Sequence, residues 1–125
     1  MSKTTNQKQP PTKQLVTIVD GVLEDLKAEA VVSLDVKHLT SVTDVMVIAT
    51  GRSSRHVRAV ADALVERCKE NHHRPLGIEG EESGEWILVD LADVIVHVML
   101  PKVRDFYELE KLWDLESVED AERSS

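Results

Sequence analysis

Two apolar runs separated by only three residues constrain this chain most. Trp86-Ile87-Leu88-Val89-Asp90 and Val94-Ile95-Val96-His97-Val98-Met99-Leu100 flank Leu91-Ala92-Asp93. So short a connection cannot cross over to a parallel neighbour, so the two runs must pair antiparallel as a hairpin. A further run, Val45-Met46-Val47-Ile48-Ala49, is continuously apolar and ends in Thr50-Gly51, the pattern of a central strand covered on both faces. Ser53 or Ser54 then caps the clearest helix. Val57, Val60, Ala61, Leu64, Val65 and Cys68 recur every three or four residues, opposite Arg58, Asp62, Glu66 and Arg67. That helix should end near Asn71.

The remaining elements fit around these. Leu15, Val19, Val22 and Leu26, widened by Val16 and Leu23, mark a helix from Lys13 to about Lys27 or Glu29. Val31 to Val36 alternates as a half-buried strand, and Leu76-Gly77-Ile78-Glu79 reads as a short one between Pro75 and Gly80. After Pro101 a last helix spans about Val103 to Leu115. The order α-β-β-α-β-β-β-α predicts an α/β fold: a mixed five-stranded sheet with helices on both faces. Residues 1–12, polar with Pro10-Pro11, read as a disordered arm, 13–115 as one domain, and 116–125 as an acidic, frayed tail.

Composition narrows function by exclusion. The formal net charge is -8, so DNA is excluded as a partner and little direct RNA contact is expected, because phosphate binding relies on Lys and Arg displacing counterions. A basic protein would be steered toward such a chain. Arg52, Arg55, Arg58 and Arg67 lie close in sequence and read as a solvated helix face. Cys68 is the single cysteine, so no disulfide framework or cysteine-based zinc site can form. With no apolar run near the roughly 20 residues a bilayer requires, and no signal sequence, the cytoplasm is the expected location and a membrane is not a partner.

The candidate sites are few. Trp86, Phe106, Tyr107 and Trp113 all fall in the last third of a chain that is only 3% aromatic. They either close one end of a small core or form a docking surface. Alternation places Trp86, Leu88 and Asp90 on one side of their strand. Leu91, at the hairpin tip, reads equally as a core plug and as part of an exposed apolar patch. His97 reads as a satisfied core histidine, and His72-His73 as a solvated loop pair. Gly51-Arg52-Ser53 precedes a helix, where phosphate can bind, but it lacks the glycines and lysine of a nucleotide loop and reads as a cap and a tight turn. Glu79, Glu81, Glu82, Asp90 and Asp93 read as hydrated carboxylates rather than magnesium ligands. No nucleophile with a matching base can be named, so no catalytic residue, metal or cofactor is expected.

The motifs together resemble the ribosomal silencing factors of the Iojap family. Thr43-Asp44 before the Val45 strand, Gly51-Arg52-Ser53-Ser54-Arg55-His56-Val57 and Glu79-Gly80 carry the resemblance. So do Trp86 to Asp90, Asp93-Val94-Ile95-Val96-His97 and Phe106-Tyr107-Glu108-Leu109-Glu110-Lys111-Leu112-Trp113. It runs in order from about Leu15 to Trp113. The resemblance implies a nucleotidyltransferase-like fold without that activity. It also implies a factor that binds the large ribosomal subunit through universal large-subunit ribosomal protein number fourteen, blocks joining with the small subunit and represses translation when nutrients are limiting.

Trp86, Leu91 and Tyr107 match the family's docking surface, with Asp90 and Glu110 as neighbours. Ala92 departs from the pattern, which has glycine there; alanine is costly only if the turn needs a positive φ. The rival the fold implies is a metal-dependent nucleotidyltransferase. Active members carry two aspartates one residue apart on the strand after the helix, where this chain has Leu76 to Glu81 without such a pair. An uncovered docking patch could also pair with a second copy as a weak homodimer.

Overall fold

The structure, a computed structural model, describes residues 11–107. Its elements are α1 (Pro11–Asp25), β1 (Glu29–Asp35), β2 (Val45–Thr50), α2 (Ser54–Glu70), β3 (Gly77–Glu79), β4 (Trp86–Asp90), β5 (Val94–Met99) and α3 (Pro101–Tyr107). The strands form one five-stranded sheet in the order β1-β2-β5-β4-β3. β2 and β5 run parallel at its centre, and the other three pairings are antiparallel.

The sheet has two unequal faces. On the first lie α1 and α2, and their apolar stripes meet Val47 and Ala49 of β2, Ile87 and Val89 of β4, and Val94, Val96 and Val98 of β5 in the main core. Val57, Val60, Ala61, Leu64 and Cys68 are the buried stripe of α2. Each fully buried valine or leucine among them contributes about 1.5–3 kcal/mol. The second face carries a smaller cluster of Val36, Met46, Ile48 and Met99, against which Leu34, Trp86 and Val103 pack. β2 is apolar from Val45 to Ala49 because each of its faces meets a cluster.

Local chemistry sets the element ends. The Ser53 hydroxyl accepts the His56 amide at 3.1 Å, the N-cap of α2. At the other end the His73 amide donates to the Cys68 carbonyl at 2.7 Å, with His72 left-handed between them at φ 66°. α1 begins at Pro11 and α3 at Pro101, each earlier than periodicity alone suggests. Proline suits a first helical position, where its missing N–H has no partner to lose. β1 also begins early, because Glu29 still pairs with Thr50 beyond an irregularity that leaves Ala30 at φ 49°. Of the arm expected at 1–12, Pro11 and Thr12 instead open α1, while residues 1–10, the tail and the expected extension of the last helix through 108–115 lie outside the described residues. Among those described, no helix is long and apolar enough to cross a membrane.

Candidate docking face

Register fixes which side chains share the second face. Cross-strand partners lie on the same side of a sheet, so the pairs Leu34–Met46, Met46–Ile95 and Ile95–Asp90 make one rung. Val32, Ile48, His97, Leu88 and Glu79 make the next, and Thr50, Met99 and Trp86 a third. Val32, Leu34, Trp86, Leu88 and Ile95 are only half-buried. The face is therefore an apolar strip with Trp86 at one end of β4, Asp90 at the other, and Glu79 along its edge.

Trp86 is held on both sides. Its indole N–H donates to His97 Nδ1 at 2.8 Å, and the rings lie 5.8 Å apart with their planes tilted by 51°. His97 is 6% exposed, and burial pushes its imidazole down to about 4, so it is neutral at physiological pH and Nδ1 is free to accept. The Trp86 backbone lies against Gly80, which is at φ 87° and has no room for a Cβ beside the Trp86 carbonyl. Only glycine meets both demands. Arg58 of α2 anchors the same loop, its guanidinium donating to the carbonyls of Glu81 at 3.2 Å and Glu82 at 2.7 Å. The basic residue expected on a solvated helix face thus has a structural task.

At the far end, Asp90 Oδ1 accepts the Ala92 amide at 2.9 Å. Ala92 stands at φ 73°, and the Asp93 amide donates to the Leu91 carbonyl at 3.0 Å across it. An i→i+2 bond around a left-handed residue is the rare, strained form of the γ-turn. The glycine-like conformation that alanine resists is therefore the one adopted. Leu91 is 6% exposed and packs in the main core, so the core plug describes its side chain and the exposed patch does not. The Asp93 carbonyl in turn accepts the amides of Asp44 at 3.0 Å and Val45 at 3.1 Å, tying the turn to the start of β2.

The other expected site residues fall as follows. Tyr107 is the last residue of α3, and Glu110 lies outside the described residues. Phe106, one turn of α3 beyond the residues that grip the sheet, is 79% exposed. Arg104 anchors that helix, donating to Thr50 Oγ1 at 2.9 Å and to the Ala30 carbonyl. Sequence reasoning set Leu88 beside Trp86 and Asp90, but named neither the acceptor for Trp86 nor Ile95 as a partner on the strip. Alternation contained the signal, since Trp86 and His97 fall on one face of neighbouring strands.

The junction before α2 is occupied by its own chain. The Arg52 amide donates to His56 Nδ1 at 2.9 Å, so His56 Nε2 carries the proton and donates to the Leu26 carbonyl at 2.8 Å. Together with the Ser53 cap, this uses amides a phosphate would need. β3 brings one carboxylate, Glu79, where a metal-dependent transferase needs two. Among the described residues, no three His, Cys, Asp or Glu side chains form a group that could hold a metal ion.

Comparison with known proteins agrees with this architecture. Residues 9–125 match the family described as "Ribosomal silencing factor during starvation". The chain is 50% identical over 91 residues to the ribosomal silencing factor RsfS of Chromobacterium violaceum, covering 73% of this chain and 75% of that protein. A crystal structure of a protein from the same organism superposes with a TM-score of 0.81 at 44% identity, covering 83% of this chain and 87% of that one. The mouse protein named "Mitochondrial assembly of ribosomal large subunit protein 1" is 40% identical over 83 residues, covering 62% of this chain and 36% of that protein. The five-stranded α/β architecture is that of the family's solved structures, and the chain belongs to the ribosomal silencing factor family.

Proposed function

We propose that this protein binds the large ribosomal subunit through universal large-subunit ribosomal protein number fourteen. By covering that surface it blocks joining with the small subunit and represses translation under nutrient limitation. The observation that carries the reading is the half-buried apolar strip of the second face, with Trp86 at one end and Asp90 and Glu79 beside it. A rigid aromatic anchor in an apolar patch is the usual source of interface energy, and an acidic chain suits a basic partner better than RNA. The family name and the large-subunit assembly role in the mouse relative's name point the same way.

The docking residues are Trp86, Asp90, Tyr107 and Glu110, with Leu91 bracing the turn that sets Asp90. The role is regulatory rather than enzymatic, and its place is the cytoplasm. Support for the absence of catalysis comes from the self-occupied junction before α2 and the single carboxylate of β3. The test is subunit joining. Purified protein added to separated subunits should sediment with the large one and lower the yield of joined ribosomes on a sucrose gradient. Co-migration with the small subunit alone, or with neither, would sink the proposal.

A further inference from the structure

We infer that His97 is the positioning residue of the docking face, acting as a fixed hydrogen-bond acceptor that presets the Trp86 indole for its partner. The inference rests on the reading of that face as the docking surface. An indole at the start of β4, past the last β3 pair at Glu79–Leu88, has freedom about two side-chain bonds. Here its one polar atom is tied at 2.8 Å to a side chain that is itself almost wholly buried. The tie is diagonal across the β4–β5 pair: Trp86 stands opposite Met99, while His97 stands opposite Leu88. It therefore leans the indole inward along the strip, over the second rung, rather than outward past the end of the sheet.

Apolar and charged residues would not serve at position 97. A leucine or valine would match the apolar strand but leave the indole N–H without its acceptor. A carboxylate would accept the bond but bring a buried charge. A neutral imidazole supplies an acceptor and a flat ring that the indole can tilt against. Fixing an aromatic side chain before docking spares the cost of ordering it at the interface, worth roughly two- to tenfold in affinity.

The test uses the full chain, purified large ribosomal subunits and two substitutions. His97→Phe keeps a ring and removes the acceptor. His97→Asn places an oxygen near the Nδ1 position and removes the ring. The indole N–H signal of Trp86 is assigned in the proton spectrum by its loss in Trp86→Phe, and its exchange with solvent is measured in each folded variant. Slow exchange and tight binding are expected for wild type and His97→Asn. Fast exchange and roughly two- to tenfold weaker binding are expected for His97→Phe. Should His97→Phe fail to melt cooperatively, His97→Leu takes its place.

A folded acceptor-less variant that binds as wild type, while Trp86→Ala binds poorly, overturns the positioning role and leaves the docking face standing. Equal weakening by His97→Phe and His97→Asn assigns the effect to ring packing and overturns it as well. A folded Trp86→Ala protein that binds at wild-type strength removes Trp86 from the docking surface, and both readings fail together.

Discussion

Replacing Ala92 with glycine should stabilise this protein, and the size of the gain can be worked from the turn itself. Ala92 is exposed and holds φ at 73° between Leu91 and Asp93. A left-handed conformation costs an L-residue with a Cβ roughly 1–2 kcal/mol relative to glycine. Glycine gives back about 0.4–1 kcal/mol through the greater freedom of its unfolded chain. No packed side chain is lost, and the Ala92 amide still reaches Asp90. The net gain therefore lies between about 0 and 1.6 kcal/mol and centres on about 0.8 kcal/mol. For a domain of this size the central value is a rise in melting temperature of roughly 3–6 °C.

Urea titration of Ala92→Gly, followed by circular dichroism, should move the midpoint upward without changing the slope. Gly21→Ala serves as the opposite control. Gly21 lies within α1 with open space where a Cβ would stand, so alanine there should stabilise by about 1 kcal/mol through helix propensity. If Ala92→Gly lowers the midpoint while Gly21→Ala raises it, the left-handed turn is not where the strain resides.

Four further outcomes are expected. Trp86→Ala and Tyr107→Ala, if folded, should each weaken binding to large subunits by about 2 kcal/mol, roughly thirtyfold, in co-sedimentation. Leu91→Ala should act mainly on stability, lowering it by roughly 2–5 kcal/mol in urea, because the side chain is 6% exposed in the main core. Arg58→Ala should cost about 1 kcal/mol and speed proteolytic nicking at Glu81–Ser83, since two carbonyls of that loop lose their donor, while binding by the folded variant stays near wild type. Acidification should destabilise the fold through His97: its folded value near 4 lies below the ordinary 6.5, so the unfolded chain binds the extra proton. Stability from this group is complete above pH 6.5 and falls by roughly 3 kcal/mol on the way to pH 4. Asp20, whose carboxyl burial raises, works in the opposite direction. His97→Asn should flatten the window between pH 4 and 6.5 in a series of melts.

Much of the fold was legible because single local rules governed it. The rhythm of Val57, Val60, Ala61, Leu64 and Cys68 could only be a buried helix face, and Leu91-Ala92-Asp93 was too short for anything but a hairpin. The parts that escaped depended on the third dimension. That Leu91 turns into the main core depends on the cluster beneath the β4–β5 tip, which alternation within the strands does not reveal. That Arg58 reaches Glu81 and Glu82 depends on α2 lying across the β3–β4 loop, more than twenty residues away in sequence. The site was legible as residue types more than as an arrangement. Trp86 and His97 each drew notice alone, yet the bond between them needs the register of two strands.

That register also explains how one sheet serves two purposes. The first face is closed by α1 and α2, and its rungs of valine, isoleucine and alanine supply the main core. On the second face, among the described residues, Val36 and Val103 pack at the cluster while Val32, Leu34, Leu88 and Ile95 remain half-exposed. An apolar surface left in water gains nothing for folding, and it is an aggregation liability unless something manages it. Here Asp90 and Glu79 flank the strip with charge, and a net charge of -8 adds repulsion between copies. The same charge favours approach by a basic partner over self-association. Stability is thus concentrated on one face of the sheet, which leaves the other free to present Trp86 in the docking role proposed for it.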